Sequence, residues 1–233
     1  MAEKTWTPAE LEAVSAELEA EGPAAVLRWA FAQFGPDEIA LACSFGAEDV
    51  ALVDMISKLQ KGAKLFYLDT NFLFPETYQV IEQVRDRYEI RMEQVLPALT
   101  PEEQAARHGD ELWKRDPDAC CAIRKVEPLT RTLAGLKAWI TGIRREQSPF
   151  RANARVVEWD AKFNLVKVNP LAPWKEKDVW RYILENNVPY NVLHDQGYPS
   201  IGCTHCTRPV KPGEDPRAGR WSGHQKTECG LHK

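Results

Sequence analysis

The sequence predicts an α/β fold in which a mostly parallel, twisted sheet is flanked by helices and followed by an irregular C-terminal arm. From residue 38, short apolar runs of strand length alternate with longer runs of helical period, an order that produces right-handed βαβ units. From about residue 191 the periodicity fades, and Gly, Pro and charged residues become frequent. With 233 residues, 44% of them hydrophobic, the chain can bury one sizeable core.

Two helices are expected before the sheet. Residues 7–10 are Thr-Pro-Ala-Glu, a capping box with proline in the first turn, and they predict a helix that ends near Ala20. A second helix is expected from Gly22-Pro23 to about Gly35, since glycine and proline commonly mark such boundaries.

The pattern then predicts strands over residues 38–43, 64–68, 91–96, 138–141 and 165–168, and helices over 48–59 and 75–88. Ligands of such sheets bind at the carboxyl ends of the strands, where loops 44–49, 68–71 and 141–148 lie. In the first loop, Ser44 and Gly46 precede a helix whose free amides suit a phosphate, and the third loop is rich in arginine. Each loop also has an ordinary interpretation as a cap, a turn or a solvated surface.

The charge distribution indicates a small anionic ligand. A formal net charge of −4 disfavours a polyanion-binding surface, so no nucleic-acid partner is expected. Two segments are locally basic, however. Residues 141–155 hold four arginines against one glutamate, and residues 203–233 hold six Lys or Arg against three acids.

The cysteines are unevenly grouped. Cys120 and Cys121 are adjacent, and Cys203 and Cys206 form a Cys-x-x-Cys pair. Four thiols in two pairs are typical of a metal centre, either a structural zinc or an iron–sulfur cluster. Because neighbouring helical residues point about 100° apart, two sequential thiolates reach one ion only with strain. The separate iron corners of a 4Fe–4S cluster tolerate that divergence better, so the spacing favours a cluster while leaving zinc, or no metal, open.

Lys125 follows Cys121 by four residues, hence on the same face of a helix, where its ammonium could help to neutralise the thiolates. An ordinary exposed lysine is the alternative interpretation. In the apolar run 39–43, Cys43 is expected to be a small buried hydrophobic residue.

Cys229 stands apart, four residues from the C-terminus. His224, Lys226 and His232 lie close to it in sequence and favour a thiolate, whereas Glu228 opposes one. From these residues alone, a nucleophile on a mobile tail and an incidental cysteine are equally good interpretations.

The chain begins Met-Ala-Glu-Lys without a charged-then-apolar leader, and no uncharged apolar run approaches the roughly 18 residues of a membrane span. We therefore expect a cytoplasmic protein without a membrane partner, whose thiols stay reduced rather than forming disulfides. The oligomeric state is left open, a homo-oligomer included.

Taken in order, these motifs resemble the assimilatory sulfonucleotide reductases of the iron–sulfur type, the thioredoxin-dependent adenylylsulfate (APS) reductases. The resemblance extends from about residue 38 to 233 and is highly specific as a series. The matching segments are 44–49 (Ser-Phe-Gly-Ala-Glu-Asp), 68–70 with 74–77, 120–125 (Cys-Cys-x-x-Arg-Lys), 141–148, 203–206, 217–221 and 228–232 (Glu-Cys-Gly-Leu-His). Asn71 departs from the glycine that is frequent in the second loop, but asparagine tolerates left-handed backbone angles.

The resemblance implies an adenine nucleotide α-hydrolase-like fold. It also implies that Cys229 attacks the sulfur of adenosine 5′-phosphosulfate, expels AMP and carries an S-sulfocysteine that thioredoxin cleaves to sulfite. The implied metal ligands of a 4Fe–4S cluster are Cys120, Cys121, Cys203 and Cys206. The implied substrate-binding residues are Ser44, Phe45, Gly46, Ala47, Leu68, Thr70, Lys125, Gly142, Arg144, Arg151, Arg217 and Arg220.

Within this resemblance we divide the chain into N-terminal helices (1–37), a nucleotide-binding α/β domain (38–190) and the C-terminal arm (191–233), forming one structural domain overall. The alternatives within the class are a 3′-phospho-APS (PAPS) reductase and an enzyme that uses both nucleotides. From another class, a zinc-stabilised, non-catalytic module that binds a nucleotide or a nucleic acid is a further alternative. An ATP pyrophosphatase is another, although it would be expected to have a fuller Ser-Gly-Gly loop and no need of Cys229.

Overall fold

The computed structural model describes residues 6–226 and 228–231; His232, part of the predicted tail motif, lies outside them. One six-stranded sheet has the order β3-β2-β1-β4-β6-β5, and every neighbouring pair is parallel except β5 with β6. The predicted fold class is thereby confirmed. The strands are β1 (Ile39–Ala42), β2 (Lys64–Leu68), β3 (Arg91–Val95), β4 (Ala138–Ile140), β5 (Val157–Asp160) and β6 (Leu165–Val168).

Helices cover both faces of this sheet. The predicted helices are present within one or two residues of their expected bounds, whereas the segment between β3 and β4 and the helix after β6 were not predicted. The α-helices are α1 (Pro8–Glu21), α2 (Pro23–Gln33), α3 (Ala47–Leu59), α4 (Pro75–Arg87), α5 (Pro101–His108), α6 (Leu112–Arg115), α7 (Pro117–Cys121), α8 (Glu127–Leu133) and α9 (Glu176–Glu185). A π-helical turn, Ala122–Val126, joins α7 to α8.

The apolar runs of the central strands form two cores because alternate side chains point to opposite faces of a sheet. In β1, Ile39 and Leu41 belong to the larger core, while Ala40 belongs to the smaller one. In β4, Trp139 packs into the smaller core. Strands buried on both faces show continuous apolar runs, which explains why β1, β2 and β4 were predictable.

Of the two N-terminal helices, α1 packs against the edge strand β5, and α2 contacts α1 and α3. The predicted capping box is present, with the Glu10 carboxylate accepting from the Thr7 amide at 2.8 Å. On the buried side of α1, the Ser15 hydroxyl accepts from the Val157 amide of β5 at 3.3 Å. Leu11 of α1 and Leu27 of α2 are fully buried in the larger core.

The strand order creates an opening at one end of the sheet. β2 and β4 pair with opposite edges of β1, so the connections leaving β1 and β4 turn to opposite sides. Such a switch point leaves a crevice at the carboxyl ends of the strands. None of the helices in the described parts of the chain combines the length and apolar character that a membrane crossing needs.

Candidate active site

A cavity of about 470 Å³ lies at this switch point, between the loops that follow β1, β2 and β4 and the C-terminal arm. Its wall contains nearly all of the predicted substrate residues together with the predicted nucleophile. Those that line it are Ser44, Phe45, Gly46, Leu68, Thr70, Lys125, Gly142, Arg144, Arg151, Arg217, Arg220 and Cys229. Ala47 is buried at the start of α3 and is not on the wall, so its contact with a ligand stays a prediction.

The loop after β1 is held by a buried carboxylate. The amide and the hydroxyl of Ser44 both donate to Asp49 Oδ2 at 2.6 Å. Phe45 adopts a left-handed backbone angle, φ +58°, which is unusual for a bulky residue, and its ring packs edge-on against Tyr67. A backbone conformation of this kind persists only where surrounding contacts enforce it, as at ligand-binding loops.

Gly142 brings the loop after β4 against the same carboxylate. A Cβ atom at this position would overlap Asp49 Oδ1 and crowd the Glu48 side chain, so glycine is required for this close approach. Burial raises the pKa of Asp49 to about 6, although the hydrogen bonds from Ser44 lower it. Asp49 therefore joins two walls of the cavity through a carboxylate that is costly to ionise.

The loop after β2 is organised by Asp69. Its carboxylate accepts from the Asn71 amide at 2.9 Å, the Tyr78 hydroxyl at 2.8 Å and the Gln94 side chain at 2.7 Å. Asn71 has φ +60°, which confirms that asparagine serves in the left-handed position of this turn. The neighbouring Thr70 is buried, with Oγ1 3.3 Å from the sulfur of Cys203.

The arginines of the loop after β4 do not form one anion-binding patch. Arg145 makes a bidentate pair with Glu19 of α1 at 2.6 Å, and Arg155 pairs with Glu12 of the same helix. The count of four arginines therefore overstated the charge at the cavity, because two of them dock α1.

Arg144 does line the cavity, but acids compensate it. Its Nε donates to Glu48 at 2.8 Å, and Nη1 contacts Glu146. Only 6% of Arg144 is exposed. The predicted contact of this guanidinium with substrate stays a prediction, since in this structure its charge serves to tie the loop after β4 to α3.

Glu228, adjacent to Cys229, is a buried residue of the site whose contacts sequence reasoning missed. It is 2% exposed and accepts four hydrogen bonds. Oε1 accepts from Ser148 Oγ at 2.8 Å and Arg151 Nε at 3.1 Å, whereas Oε2 accepts from Arg151 Nη2 at 2.9 Å and Arg217 Nη2 at 3.2 Å. A carboxylate next to the predicted nucleophile in a basic tail was the signal, but its partners Ser148, Arg151 and Arg217 lie 80, 77 and 11 residues away and no local pattern reveals them.

Two lysines hold the tail on either side of Glu228. Lys226 Nζ donates to the Pro117 carbonyl at 3.1 Å and the Asp118 carboxylate at 2.6 Å. On the other side, Lys162 Nζ donates to the Gly230 carbonyl at 2.5 Å. Gly230 has φ +85°, so the chain turns sharply directly after Cys229.

The four paired cysteines lie together beside the cavity. Cys120, Cys121 and Cys203 are buried, and Cys206 is half-buried. Burial, together with the neighbouring thiols of both pairs, raises the pKa of Cys120 to about 11 and that of Cys206 to about 12. Within residues 6–226 and 228–231, no three His, Cys, Asp or Glu side chains are arranged to hold a metal ion.

Lys125 lies on the π-helical turn that follows the first cysteine pair, and it lines the cavity. Such turns are frequent at functional sites. Burial alone lowers the pKa of Lys125, but the Cys203 and Cys229 thiols raise it, and the net pKa lies above its ordinary value. The ammonium is therefore electrostatically coupled both to the paired cysteines and to Cys229.

We expect Asp49 to give protein stability a recognisable pH dependence. Its carboxyl has an ordinary pKa of 3.8 and a folded-state pKa of about 6, so the folded chain binds more protons between these values. Ionisation of Asp49 therefore costs the folded state about 3 kcal/mol at neutral pH, a cost that disappears as the pH falls below about 4.

The variant Asp49→Asn cannot ionise. Its free energy of unfolding, relative to that of the wild-type protein, should therefore rise by up to about 3 kcal/mol as the pH increases from about 4 to about 7. Urea unfolding of both proteins across this range measures the difference in the free energy of unfolding. A difference that stays constant with pH would contradict the assignment.

Comparison with known proteins agrees with this geometry. Residues 38–209 match the phosphoadenosine phosphosulfate reductase domain family. The adenosine 5′-phosphosulfate reductase of Shouchella clausii is 53% identical over 222 residues, 95% of this chain and 92% of the relative. The protein of the same name from Geobacillus kaustophilus is 50% identical over 228 residues, 97% of each chain.

Solved structures are also similar to this chain. The phosphoadenylyl-sulfate reductase of Candida auris, solved as a phosphate complex, has a TM-score of 0.77 at 33% identity and covers 89% of this chain and 100% of its own. An FMN adenylyltransferase of Candida glabrata, with a TM-score of 0.60 at 16% identity over 91% of this chain and 72% of its own, shows the likeness of the fold alone. By its sequence and its architecture, the chain belongs to the phosphoadenosine phosphosulfate reductase domain family.

Proposed function

We propose that the chain is an adenylylsulfate reductase, which converts adenosine 5′-phosphosulfate into sulfite and AMP at the expense of a thioredoxin-like dithiol protein. The observation that carries the proposal is that Cys229, Lys125 and Arg220 line the same cavity, together with the loop after β1. The relatives named above support the choice of substrate, because they are half identical over nearly their whole length.

In the first step the Cys229 thiolate attacks the sulfate sulfur. A bond forms between Sγ and that sulfur, the bond from sulfur to the bridging oxygen breaks, and AMP leaves with the electron pair. The product is an S-sulfocysteine on the tail. In the second step a thiolate of the partner attacks Cys229 Sγ and sulfite leaves. The partner's second thiol then frees Cys229 and leaves the partner as a disulfide, so the dithiol supplies both electrons.

In the first step an anionic thiolate approaches an anionic sulfate group, so the site needs preorganised positive charge. Lys125 has no ion pair with a carboxylate in the described part of the chain. Arg220 donates to neutral acceptors, the Ser200 hydroxyl at 3.0 Å and the Ile201 carbonyl at 3.3 Å. Their charges therefore remain available for the sulfate and the departing phosphate.

The nucleotide has a matching place in the cavity. Ser44 and Gly46 lie at the N-terminus of α3, where free amides favour a phosphate or sugar oxygen. Leu68 and Thr70 line the adjoining wall and are proposed to contact the adenosine. Arg151 and Arg217 line the cavity as well, and we retain them as predicted anion ligands, together with Gly142 and Arg144.

We propose that Cys120, Cys121, Cys203 and Cys206 hold a 4Fe–4S cluster. The thiols are close enough to affect one another's pKa. The adjacent thiols of Cys120 and Cys121 suit the separate iron corners of a cluster better than a single zinc ion. When bound, the cluster supplies a covalent cross-link between α7 and the C-terminal arm, and the electrons of the reaction come from the dithiol. The free thiols and the dithiol partner also support a cytoplasmic location.

The first test is mass spectrometry after the reduced protein is mixed with adenosine 5′-phosphosulfate and no reductant. We expect an increase of one sulfonate group, located on the peptide that contains Cys229, and none in Cys229→Ser. A parallel sample with the 3′-phosphorylated nucleotide distinguishes the PAPS reductase alternative. An adduct on a different cysteine, or no adduct from either nucleotide, would refute the proposed activity.

The second test concerns the cluster. Anaerobic reconstitution should give about four iron atoms per chain and the broad visible absorption of an iron–sulfur centre. Cys203→Ser should lose most of both, whereas Cys43→Ala, in which a buried cysteine outside the two pairs is removed, should keep its iron. A colourless protein that binds one zinc would decide for the alternative metal.

The third test separates Lys125 from the cluster. Lys125→Ala removes a charge that faces the reacting sulfur, so adduct formation should fall at least about a hundredfold, the scale on which one electrostatic contact to a transition state acts. Its visible absorption should be unchanged. Lys61→Ala, whose side chain is 83% exposed, is the matched control and should react normally. Unchanged adduct formation in Lys125→Ala would remove this residue from the mechanism.

A further inference from the structure

We propose that Glu228 is a positioning residue, a latch that closes the C-terminal tail and delivers Cys229 into the cavity for sulfur attack. This inference rests on the proposed function, which requires Cys229 to be inside the cavity in one step and accessible to a partner protein in the next.

The contacts of Glu228 show how the latch is built. Its carboxylate joins three parts of the chain: Ser148 and Arg151, which follow β4, Arg217 of the arm, and the tail itself. Arg151 and Arg217 have side chains that are 11% and 17% exposed, and Glu228 is 2% exposed. Salt screens such buried pairs little, and removal of one partner leaves a buried charge unpaired, so loss of the Glu228 charge should be costly to the closed tail.

The geometry excludes a role for Glu228 as the base that deprotonates Cys229. Each carboxylate oxygen already accepts two hydrogen bonds from the loop after β4 and the arm. Burial raises the pKa of Glu228, but Arg151 and Arg217 lower it, and the net pKa lies below the ordinary value. A carboxylate that stays ionised and already accepts four hydrogen bonds holds the tail in place and does not act as a base.

The latch also gives the cations of the cavity different roles. With the tail closed, Glu228 compensates one of the two charges of Arg151 and Arg217, while Lys125 and Arg220 face the cavity beside Cys229. With the tail open, Arg151 and Arg217 lose the Glu228 carboxylate, and the more positive cavity attracts an anionic nucleotide more strongly. Loss of the latch should therefore impair the chemical step without weakening nucleotide binding.

Because the second step needs an accessible Cys229, it should not depend on the latch. Other contacts of the tail are those of Lys226 with Asp118, the Pro117 carbonyl and the Trp221 ring, that of Lys162 with the Gly230 carbonyl, and the packing of Leu231 against the smaller core. Glu228 is the tail residue that accepts four hydrogen bonds from side chains outside the tail, so we choose it as the site at which to test closure.

Glu228→Gln tests the latch because it keeps the shape and removes the charge. Without nucleotide, iodoacetamide should alkylate Cys229 at least about tenfold faster than in the wild type, since charge-assisted hydrogen bonds are lost from the closed state. Peptide mapping distinguishes Cys229 from the other cysteines. In a single turnover with adenosine 5′-phosphosulfate, adduct formation should be at least about tenfold slower.

Two further readouts separate positioning from structural damage. Cleavage of the preformed adduct by thioredoxin should be as fast as in the wild type or faster, and the Kd for AMP should be unchanged or lower. Glu214→Gln removes a carboxylate that pairs with Arg208 elsewhere on the arm, and it should behave as the wild type in every assay. Ser148→Ala removes one of the four donors and should show the same changes at a smaller magnitude.

Wild-type alkylation and adduct formation in Glu228→Gln would overturn the latch. Equal slowing of both half-reactions would also overturn it and indicate a general structural role, and if Glu228→Gln does not fold, Ser148→Ala decides. Should the wild-type protein form no adduct at all, the proposed function fails, while the alkylation comparison still reports whether Glu228 holds Cys229 closed.

Discussion

The position of β1 between β2 and β4 is the constraint on which the site depends. Because the chain leaves this central strand toward one edge of the sheet and later returns along the other, the loops at its carboxyl end separate and leave a cavity. Asp49 and Gly142 then set how far they separate. The carboxylate of Asp49 fixes the Ser44 loop, and the absent side chain of Gly142 lets the opposite loop approach it.

Around this cavity, positive charge is mostly compensated rather than free. Arg144 is paired with two glutamates, and Arg151 and Arg217 share a third one that comes from the tail. A buried cation without a partner would destabilise the protein when no ligand is bound, and the glutamates that pair with these arginines reduce that destabilisation. Lys125 and Arg220, which have no acid partner among the residues that the structure describes, line the cavity together with Cys229 and leave uncompensated charge near the sulfur that would react.

The sequence anticipated the features with a local signature. The apolar runs of β1, β2 and β4 are buried on both faces, and the capping box at Thr7 and the left-handed angle at Asn71 follow from the residue types there, although distant Arg124 also donates to the Asn71 side chain. β5 was missed because Val157–Asp160 alternates weakly and is stabilised by the distant helix α1. The roles of Glu228 and of the α1-bound arginines depend on partners far along the chain, so no pattern could predict them.

The two ends of the arm are held by different kinds of interaction, and this difference has a mechanistic consequence. Near Cys203, the Thr204 amide donates to the Phe72 carbonyl at 2.8 Å and an isolated bridge joins Leu73 to Cys203. A metal cluster on the paired cysteines would make this end permanent. Near Cys229, in contrast, the tail is held by the ion pairs of Glu228 and Lys226, by a hydrogen bond from Lys162 and by the packing of Leu231, all of which are non-covalent and reversible. A tail released at that end can expose its sulfur to a partner while the paired cysteines and Lys125 stay in position, so delivery and reduction can alternate without disassembly of the site.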